Sequence, residues 1–250
     1  MNPLYPMVRK EAIEDLMAAR GVFFLLIATL VMSAFSVLLV SNTELSLLDN
    51  AEAVYMMAGI IVALGSLVSV VRGSDGYAGE RERETLEPLL IAPITGRQIA
   101  VAKLSGILFS WLFLYVLAIP YLWAVGSTGQ NLLPSLEYLF ITGSFMVVIL
   151  GGLSLALSAK MRSSRGALSL SLTILLLTGS PVVLGASLRQ SAVGRLLDLI
   201  NPMAGALNTL DSVIIDSQGF SFQVLRLSIL IVYSLLVTWA LRAATKRIEP

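Results

Sequence analysis

Six long apolar segments make up about half of this chain, and each has room to cross a lipid bilayer as a helix. A helix needs about 20 residues to span roughly 30 Å of hydrocarbon, and charged side chains inside such a span are costly. The interiors of the six segments contain no Asp, Glu, Lys or Arg. The segments are residues 21–40, 53–71, 104–125, 138–159, 166–186 and 224–242. The sequence therefore predicts an all-α integral membrane protein with six transmembrane helices in a single domain, residues 1–250.

The composition supports a membrane location. Apolar residues form 56% of the chain and charged residues 13%, whereas soluble domains carry about 25% charged residues. The apolar segments are also rich in small side chains, which allow membrane helices to approach closely. Examples that we expect to be packing positions are Gly65, Ser66, Ser69, Gly151, Gly152, Ser154 and Ser158.

The positions of the basic residues predict the orientation of the chain. Fourteen of the 17 basic residues lie before the first span, in the 72–103 and 160–165 loops, or at the C-terminal end. The loops at 41–52 and 126–137 hold none. Because short cytoplasmic loops carry the excess of Lys and Arg, we expect both termini to be cytoplasmic, which requires an even number of spans. The fourteen are Arg9, Lys10, Arg20, Arg72, Arg81, Arg83, Arg97, Lys103, Lys160, Arg162, Arg165, Arg242, Lys246 and Arg247.

Missing residue types exclude several functions. The chain has no Cys and no His, so it forms no disulfide, no thiolate or imidazole metal site and no Ser-His or Cys-His catalytic pair. No G-x-x-x-x-G-K-[ST] phosphate-binding loop occurs in the sequence. The sequence offers no candidate catalytic residue and no candidate metal ligand.

The 72–103 loop contains the pattern of a short amphipathic helix. An acidic and basic run at 80–84 is suited only to water. Leu86, Leu89 and Leu90 follow with the i, i+3, i+4 spacing of one helical face. This apolar stripe needs the membrane, the chain's own spans or a groove on another protein to cover it. The neighbouring carboxylates disfavour deep membrane contact and suit a basic partner surface.

Turn and cap residues predict where the helices of this loop begin and end. The hydroxyl of Thr85 is suited to capping the short helix, and Pro88 falls in its first turn, where a missing N–H costs little. Pro93 ends that helix. Thr95 and Gln98 have the spacing of a capping box, which starts a second helix that runs into the third span.

Two further segments are predicted to be helical outside the spans. Residues 3–20 have apolar side chains every four residues and charges on the other faces, which is typical of a helix lying in the membrane interface. The 187–223 stretch carries two apolar stripes, separated at Pro202, that predict two short helices. The first stripe is Val193, Leu196, Leu197 and Ile200, and the second is Met203, Leu207, Leu210 and Ile214.

The stretch from Glu80 to Lys103 resembles the signature of the type-2 ABC exporter permeases. That signature places a glutamate-rich segment before Thr-Leu-Glu, two leucines and a Pro, with a Lys at the next span. Three positions depart from it: Glu84 stands where Gly is usual, Gln98 replaces a common acidic residue, and Ala102 stands where Gly is common before the Lys. The matching residues are Glu80, Glu82, Thr85, Leu86, Glu87, Leu89, Leu90, Pro93 and Lys103.

The resemblance implies an architecture and a function. It implies an N-terminal amphipathic elbow helix at 1–20, a cytoplasmic coupling helix within 72–103 and an outer re-entrant helical hairpin at 187–223. The function implied is that of the permease subunit of an ATP-driven exporter in the cytoplasmic membrane of a prokaryote. The residues implied to contact the ATPase are Glu80, Glu82, Thr85, Leu86, Glu87, Leu89, Leu90 and Pro93.

The resemblance also implies partners. We expect a separate ABC ATPase subunit, which would bind ATP and Mg, and a second copy of the permease or a sister permease, all within or against the lipid bilayer. We expect no cofactor on this chain, no nucleic-acid partner and no enzymatic activity of its own.

Two other classes stay open at this point. A stand-alone secondary transporter usually keeps an ionisable residue near the middle of the membrane and often shows internal repeats, and this sequence displays neither by eye. An intramembrane enzyme would have few chemistries left without His, Cys or a buried carboxylate pair. A co-purifying ATPase would separate the exporter from both alternatives.

Overall fold

Helices form the architecture of the chain. The computed structural model describes residues 4–17, 19–41, 50–86, 95–126, 131–183 and 191–246, and every regular element within those ranges is helical. In chain order the elements are α1 (Leu4–Met17), α2 (Ala19–Ser41), α3 (Asn50–Asp75), α4 (Ala78–Glu82), α5 (Gly96–Gly126), α6 (Leu132–Lys160), α7 (Ser164–Gly179), a 3₁₀ turn (Ser180–Val183), α8 (Ala192–Ile200), α9 (Pro202–Ile214) and α10 (Phe220–Thr245).

Five of the described helices are long and apolar enough to cross a membrane, namely α2, α3, α5, α6 and α10. This confirms the all-helical membrane architecture and differs from the predicted count of six. The segment predicted as a span at 166–186 forms the 16-residue helix α7 and then a 3₁₀ turn. Gly179 and Pro181 explain the difference, because glycine weakens a helix and proline lacks the N–H that continues it.

Helix α6 is the centre of the bundle. It packs against α3, α5, α7, α9 and α10, and it is the most buried of the five long helices, whereas α2 and α10 are the least buried. The outward faces of α2 and α10 carry large exposed apolar side chains such as Leu30 and Trp239. In a bilayer these faces are suited to contact with lipid or with another membrane helix.

Small residues allow α3 and α6 to approach closely. A Cβ atom added to Gly73 would lie 2.6 Å from the carbonyl oxygen of Gly151. One added to Gly151 would lie 3.1 Å from the Cβ of Ser69. The predicted packing role of small residues is confirmed here, and the buried small residues of α3 and α6 include Gly65, Ser66, Ser69, Gly151, Ser154 and Ser158.

Trp111 of α5 lies between two glycines of the neighbouring helices. A Cβ atom added to Gly65 of α3 or to Gly143 of α6 would come within 2.6 Å and 2.2 Å of its ring atoms, respectively. Its indole N–H donates to the hydroxyl of Ser144 at 3.0 Å. The bulky ring therefore fills the space that the two glycines leave, and one hydrogen bond fixes its orientation.

The N-terminal segment forms a helix, as predicted, and lies along α5. Met7 and Ala12 are buried, whereas Ile13 is exposed. A Cβ atom added to Gly106 of α5 would lie 3.1 Å from the Cβ of Glu11, so the two helices are in close contact there. The location of this helix in the membrane interface stays a prediction.

The 187–223 stretch contains the two predicted short helices, α8 and α9. Asn201 begins α9, and its side-chain oxygen accepts hydrogen bonds from the N–H groups of Met203 at 2.8 Å and Ala204 at 3.1 Å. Pro202 occupies the first turn, where it is well tolerated. The stripe of α9 is buried at Met203, Leu210 and Ile214, whereas the stripe of α8 is exposed at Leu196, Leu197 and Ile200. A re-entrant position of this pair stays a prediction.

Polar side chains fix the end of the bundle near α9. The side-chain amide of Asn131 donates to the carbonyl oxygen of Ile214 at 2.8 Å and to the hydroxyl of Ser217 at 2.9 Å. The guanidinium of Arg226 donates to the carbonyl oxygen of Asn208 at 2.9 Å and to the hydroxyl of Ser212 at 2.7 Å. These bonds tie α9 to the residue that precedes α6 and to the second turn of α10.

Candidate functional site at the charged end of the bundle

A turn between α3 and α4 is held by one side chain of α6. The hydroxyl of Ser158 accepts hydrogen bonds from the N–H groups of Tyr77 at 3.0 Å and Ala78 at 2.8 Å. The same hydroxyl donates to the carbonyl oxygen of Ser74 at 2.7 Å. Ser158 is fully buried, so three backbone groups with little access to water depend on it. The α4 turn, residues 74–85, is therefore fixed to α6 at its beginning.

Two charged side chains of α4 bind the loop that follows α6. The guanidinium of Arg81 donates to the carbonyl oxygens of Met161 and, at 3.3 Å, of Ala159. The carboxylate of Glu82 accepts from the N–H of Ser164 at 3.0 Å and from its hydroxyl at 2.6 Å. Glu82 thus lies at the beginning of α7, where the helix dipole favours a negative charge.

The end of α4 adopts a left-handed turn at Glu84, whose φ is 58°. The N–H of Glu84 donates to the carbonyl of Arg81 at 3.2 Å, and the N–H of Thr85 donates to that of Glu80 at 2.9 Å. This pair of bonds is the Schellman arrangement, in which the left-handed residue is usually glycine. The backbone geometry therefore gives a physical reason for the Gly that is usual at this position of the signature.

Lys103 is the buried centre of a charge cluster that also contains Glu11, Glu80 and Tyr77, which we call the Lys103 cluster. Its Nζ atom lies 2.7 Å from Oε1 of Glu80 and 3.1 Å from Oε1 of Glu11. The same atom lies 5.6 Å from the centroid of the Tyr77 ring, a distance suited to a cation–π contact. Lys103 is only 5% exposed, and buried charges of this kind are normally paired.

A cavity of about 270 Å³ lies beside the Lys103 cluster. Its polar lining includes Glu11, Glu80 and Lys103, and its apolar lining includes Phe24 and Leu168. At its side an ion pair joins Arg83 and Asp75 at 2.6 Å. The ion pairs of the Lys103 cluster link α1, α4 and α5 to one another. No cluster of Asp and Glu with the geometry of a metal site occurs among the described residues.

The predicted capping box at the start of α5 is confirmed. The N–H of Thr95 donates to Oε1 of Gln98 at 2.9 Å, and the N–H of Gln98 donates to the hydroxyl of Thr95 at 3.3 Å. Helix α5 begins at Gly96 and continues through Lys103 into the apolar segment without interruption. The cap therefore fixes the residue at which α5 begins, and Lys103 lies two turns further along the same helix.

The structure describes four of the eight residues that were predicted to contact a partner. Glu80 belongs to the Lys103 cluster, Glu82 binds Ser164, and Thr85 is exposed. Leu86 is 6% exposed and packs in the chain's own interior. The other four, Glu87, Leu89, Leu90 and Pro93, lie outside the described residues, as does most of the predicted coupling helix.

Sequence reasoning missed several residues of this site. Glu11 was counted only among the charges on the other faces of the N-terminal helix, although a carboxylate on a helix beside a span is a natural partner for a Lys at the edge of another. Ser158 was assigned to helix packing, and nothing in the sequence distinguishes it from the other span serines. Ser164 carried a weak signal, because a Ser before an apolar run is common at a helix start.

A family model, the ABC-2 family transporter proteins, matches residues 11–245 of this chain. The chain belongs to this family. As an ABC-2 transporter protein it is an integral membrane permease, and membership implies a partnership with an ABC ATPase subunit in general. A search of curated proteins finds no match. The family match includes α1 from Glu11 onward and extends to the end of α10, so it covers the charged end as well as the bundle.

Proposed function

We propose that this ABC-2 transporter protein is the membrane subunit of an exporter that is driven by ATP hydrolysis on a separate polypeptide. The family match carries the general part of the proposal. The specific part is supported by the sequence, which contains no phosphate-binding loop in its 250 residues. On this proposal the permease performs no chemistry, and its task is to convert movement of the ATPase into movement of its helices.

The uncharged interior of the predicted spans supports ATP as the energy source. Carriers that are coupled to ions or protons usually keep an ionisable side chain near the middle of the membrane. In this chain the charged residues lie towards the ends of the long helices, as Lys103 and Arg226 do. A membrane interior of this kind also favours hydrophobic or amphiphilic cargo.

We further propose that α7 and the 3₁₀ turn together form a sixth crossing, which places both termini in the cytoplasm of a prokaryotic cell. A rise of about 1.5 Å per residue in α7 and about 2.0 Å in the 3₁₀ turn gives roughly 32 Å, close to the thickness of the hydrocarbon core. The basic residues before α2, between α3 and α5 and after α6 support the same orientation.

The contact with the ATPase is proposed for the segment that follows α4. Leu86 is buried in the chain itself, and Glu80 is bound to the buried Lys103, so their role here is to anchor this segment to the bundle. Leu89 and Leu90, with Glu87 beside them, are the residues that we propose to dock into a groove of the partner. An apolar stripe flanked by carboxylates suits a groove with a basic rim.

Reconstitution of transport tests the proposal. The permease and its co-purified ATPase are placed in proteoliposomes, and export is measured with ATP, without ATP and with an ATPase variant that does not hydrolyse ATP. We expect transport only in the first case, unaffected by an ionophore that dissipates ion gradients. Transport by the permease alone, abolished by the ionophore, would instead establish a secondary transporter.

A further inference from the structure

The Lys103 cluster joins three elements that are distant in sequence. Lys103 belongs to α5, Glu11 to α1 and Glu80 to α4, and both carboxylates lie within 3.1 Å of the same ammonium group. Because Lys103 is almost completely buried, water screens these contacts weakly and their geometry is restrictive. Movement of α4 relative to α5 therefore acts on the same cation that holds α1.

The position of Glu11 is fixed by the backbone as well as by its charge. Gly106 lies one helical turn after Lys103, and a Cβ atom added there would lie 3.1 Å from the Cβ of Glu11 and 3.3 Å from its carbonyl oxygen. Helix α1 therefore rests directly on α5 at the cluster. Because the two helices are in direct contact, even a small displacement of Lys103 also displaces α1.

The Lys103 cluster is not arranged for stability alone. One cation faces two carboxylates, and two of the cluster's own buried oxygen atoms, Oε2 of Glu80 and the hydroxyl oxygen of Tyr77, have no hydrogen-bond partner among the described residues. Buried groups left in this state destabilise a fold and call for an explanation. One of these groups is a donor and the other is an acceptor, and Tyr77 and Glu80 lie three residues apart at the start of α4.

We propose that Lys103 is a positioning residue that transmits movement of the α4 turn to the N-terminal helix α1. In the arrangement seen here, Glu80 is held by Lys103. When α4 moves, Glu80 displaces the ammonium group of Lys103, and Lys103 in turn displaces Glu11 and the helix α1 that carries it. This inference rests on the proposed function only for the source of the movement, which is the ATPase acting on the segment after α4.

A distance measurement on the permease alone tests the link. The chain has no Cys, so spin labels are attached at Arg9→Cys on α1 and Thr85→Cys after α4, both exposed positions. We expect a narrow distance distribution in this parent, a broad one with Lys103→Met, and a narrow one again with Lys103→Arg, which keeps both carboxylate contacts. A distribution that stays narrow with Lys103→Met would overturn the proposal.

A second variant keeps the test decisive if Lys103→Met does not fold. The combination of Lys103→Met, Glu11→Gln and Glu80→Gln replaces the charges by neutral groups of similar volume, an exchange that proteins often tolerate. We expect this variant to fold and to show the broad distribution. If it folds and keeps the narrow distribution, packing alone holds α1 and the proposal is wrong.

Activity in proteoliposomes gives the functional readout. With the ATPase present, we expect the neutral variant to lose substrate-stimulated hydrolysis and transport by about tenfold, within the usual range of coupling between sites. Lys103→Arg is expected to keep most of both, and parental transport in the neutral variant would contradict the proposal. If the parent itself shows no ATP-dependent transport, the proposed function fails, and the distance measurement still decides the role of Lys103.

Discussion

At the scale of single residues, the charged end of the bundle depends on side chains that each serve several partners. Ser158 satisfies three backbone groups, Lys103 binds two carboxylates, and Arg81 binds two carbonyl oxygens. Removal of one partner from such a group leaves the others buried and unpaired, which costs more than the lost bond itself. Single substitutions of Ser158, Lys103 or Arg81 are therefore each expected to disrupt several contacts.

Replacement of Glu84 by Gly is expected to stabilise the protein. A left-handed conformation costs an L-residue about 1–2 kcal/mol, and glycine gives back about 0.5–1 kcal/mol through its freedom in the unfolded chain. We expect a net gain of about 0.5–1 kcal/mol, measured as a rise in the thermal unfolding temperature of the detergent-solubilised permease. Glu84→Ala is the matched control, because it removes the charge and keeps the Cβ atom. An equal gain in both variants would assign the effect to charge.

At the scale of elements, the interface of α3, α5 and α6 depends on the glycines around Trp111. Gly143→Ala would place a methyl group 2.2 Å from the indole ring, so either the ring or α6 must move. We expect a loss of about 1–3 kcal/mol in stability, typical of overpacking, measured by thermal unfolding in detergent. Gly179→Ala is the control, since nothing lies within 4 Å of the added atom. Equal stability of the two variants would show that the interface accommodates the added methyl group without overpacking.

Substitution of the two leucines after α4 tests the proposed coupling contact. We expect Leu89→Ala and Leu90→Ala to leave insertion and stability unchanged and to abolish transport, because truncation of a leucine in a well-packed groove costs about 2–5 kcal/mol. Glu87→Lys is expected to act likewise, since like charges across an interface repel. The measurements are thermal unfolding, transport and substrate-stimulated ATP hydrolysis with the ATPase present.

Two further leucines serve as controls for that experiment. Leu133→Ala, at an exposed position near the start of α6, is expected to change nothing. Leu86→Ala, in the chain's own interior, is expected to lower stability before it affects coupling. If Leu89→Ala, Leu90→Ala and Glu87→Lys all transport like the parent, the segment is a solvated loop and the proposed contact is wrong.

The elements that the sequence predicted correctly are those determined by residues close together in the chain. The long apolar runs, the Thr95–Gln98 capping box and the two short helices on either side of Asn201 each depend on residues close together in the chain. The Lys103 cluster could not be predicted in this way, because Glu11 and Lys103 are 92 positions apart and only the packing of α1 on α5 brings them together. The burial of Leu86 likewise depends on long-range packing.

At the scale of the whole molecule, the proposed crossing of α7 determines on which side of the membrane the following segments lie. With α7 as a crossing, Ser163 and Ser221 lie on opposite sides of the membrane; without it, they lie on the same side. Both are exposed, and Cys is isosteric with Ser, so Ser163→Cys and Ser221→Cys form a matched pair in a chain without native Cys.

Labelling of intact cells with a membrane-impermeant thiol reagent distinguishes the two topologies. We expect Ser221→Cys to be labelled in intact cells and Ser163→Cys to be labelled only after the cells are broken. Labelling of both positions, or of neither, before lysis would mean that α7 does not cross. Labelling of Ser163→Cys alone would mean that the whole chain is inverted and that the basic loops face outward.

The hydrogen bonds of Ser158 to the α4 turn have a consequence for native-state hydrogen exchange. The amide protons of Tyr77 and Ala78 share one acceptor atom, the hydroxyl oxygen of Ser158. When this hydroxyl moves away, both amide protons lose their hydrogen bond at the same time. Their exchange is then governed by a single opening event between α4 and α6. The two protons should show the same protection, and a common loss of that protection would report the moment at which the turn leaves the central helix.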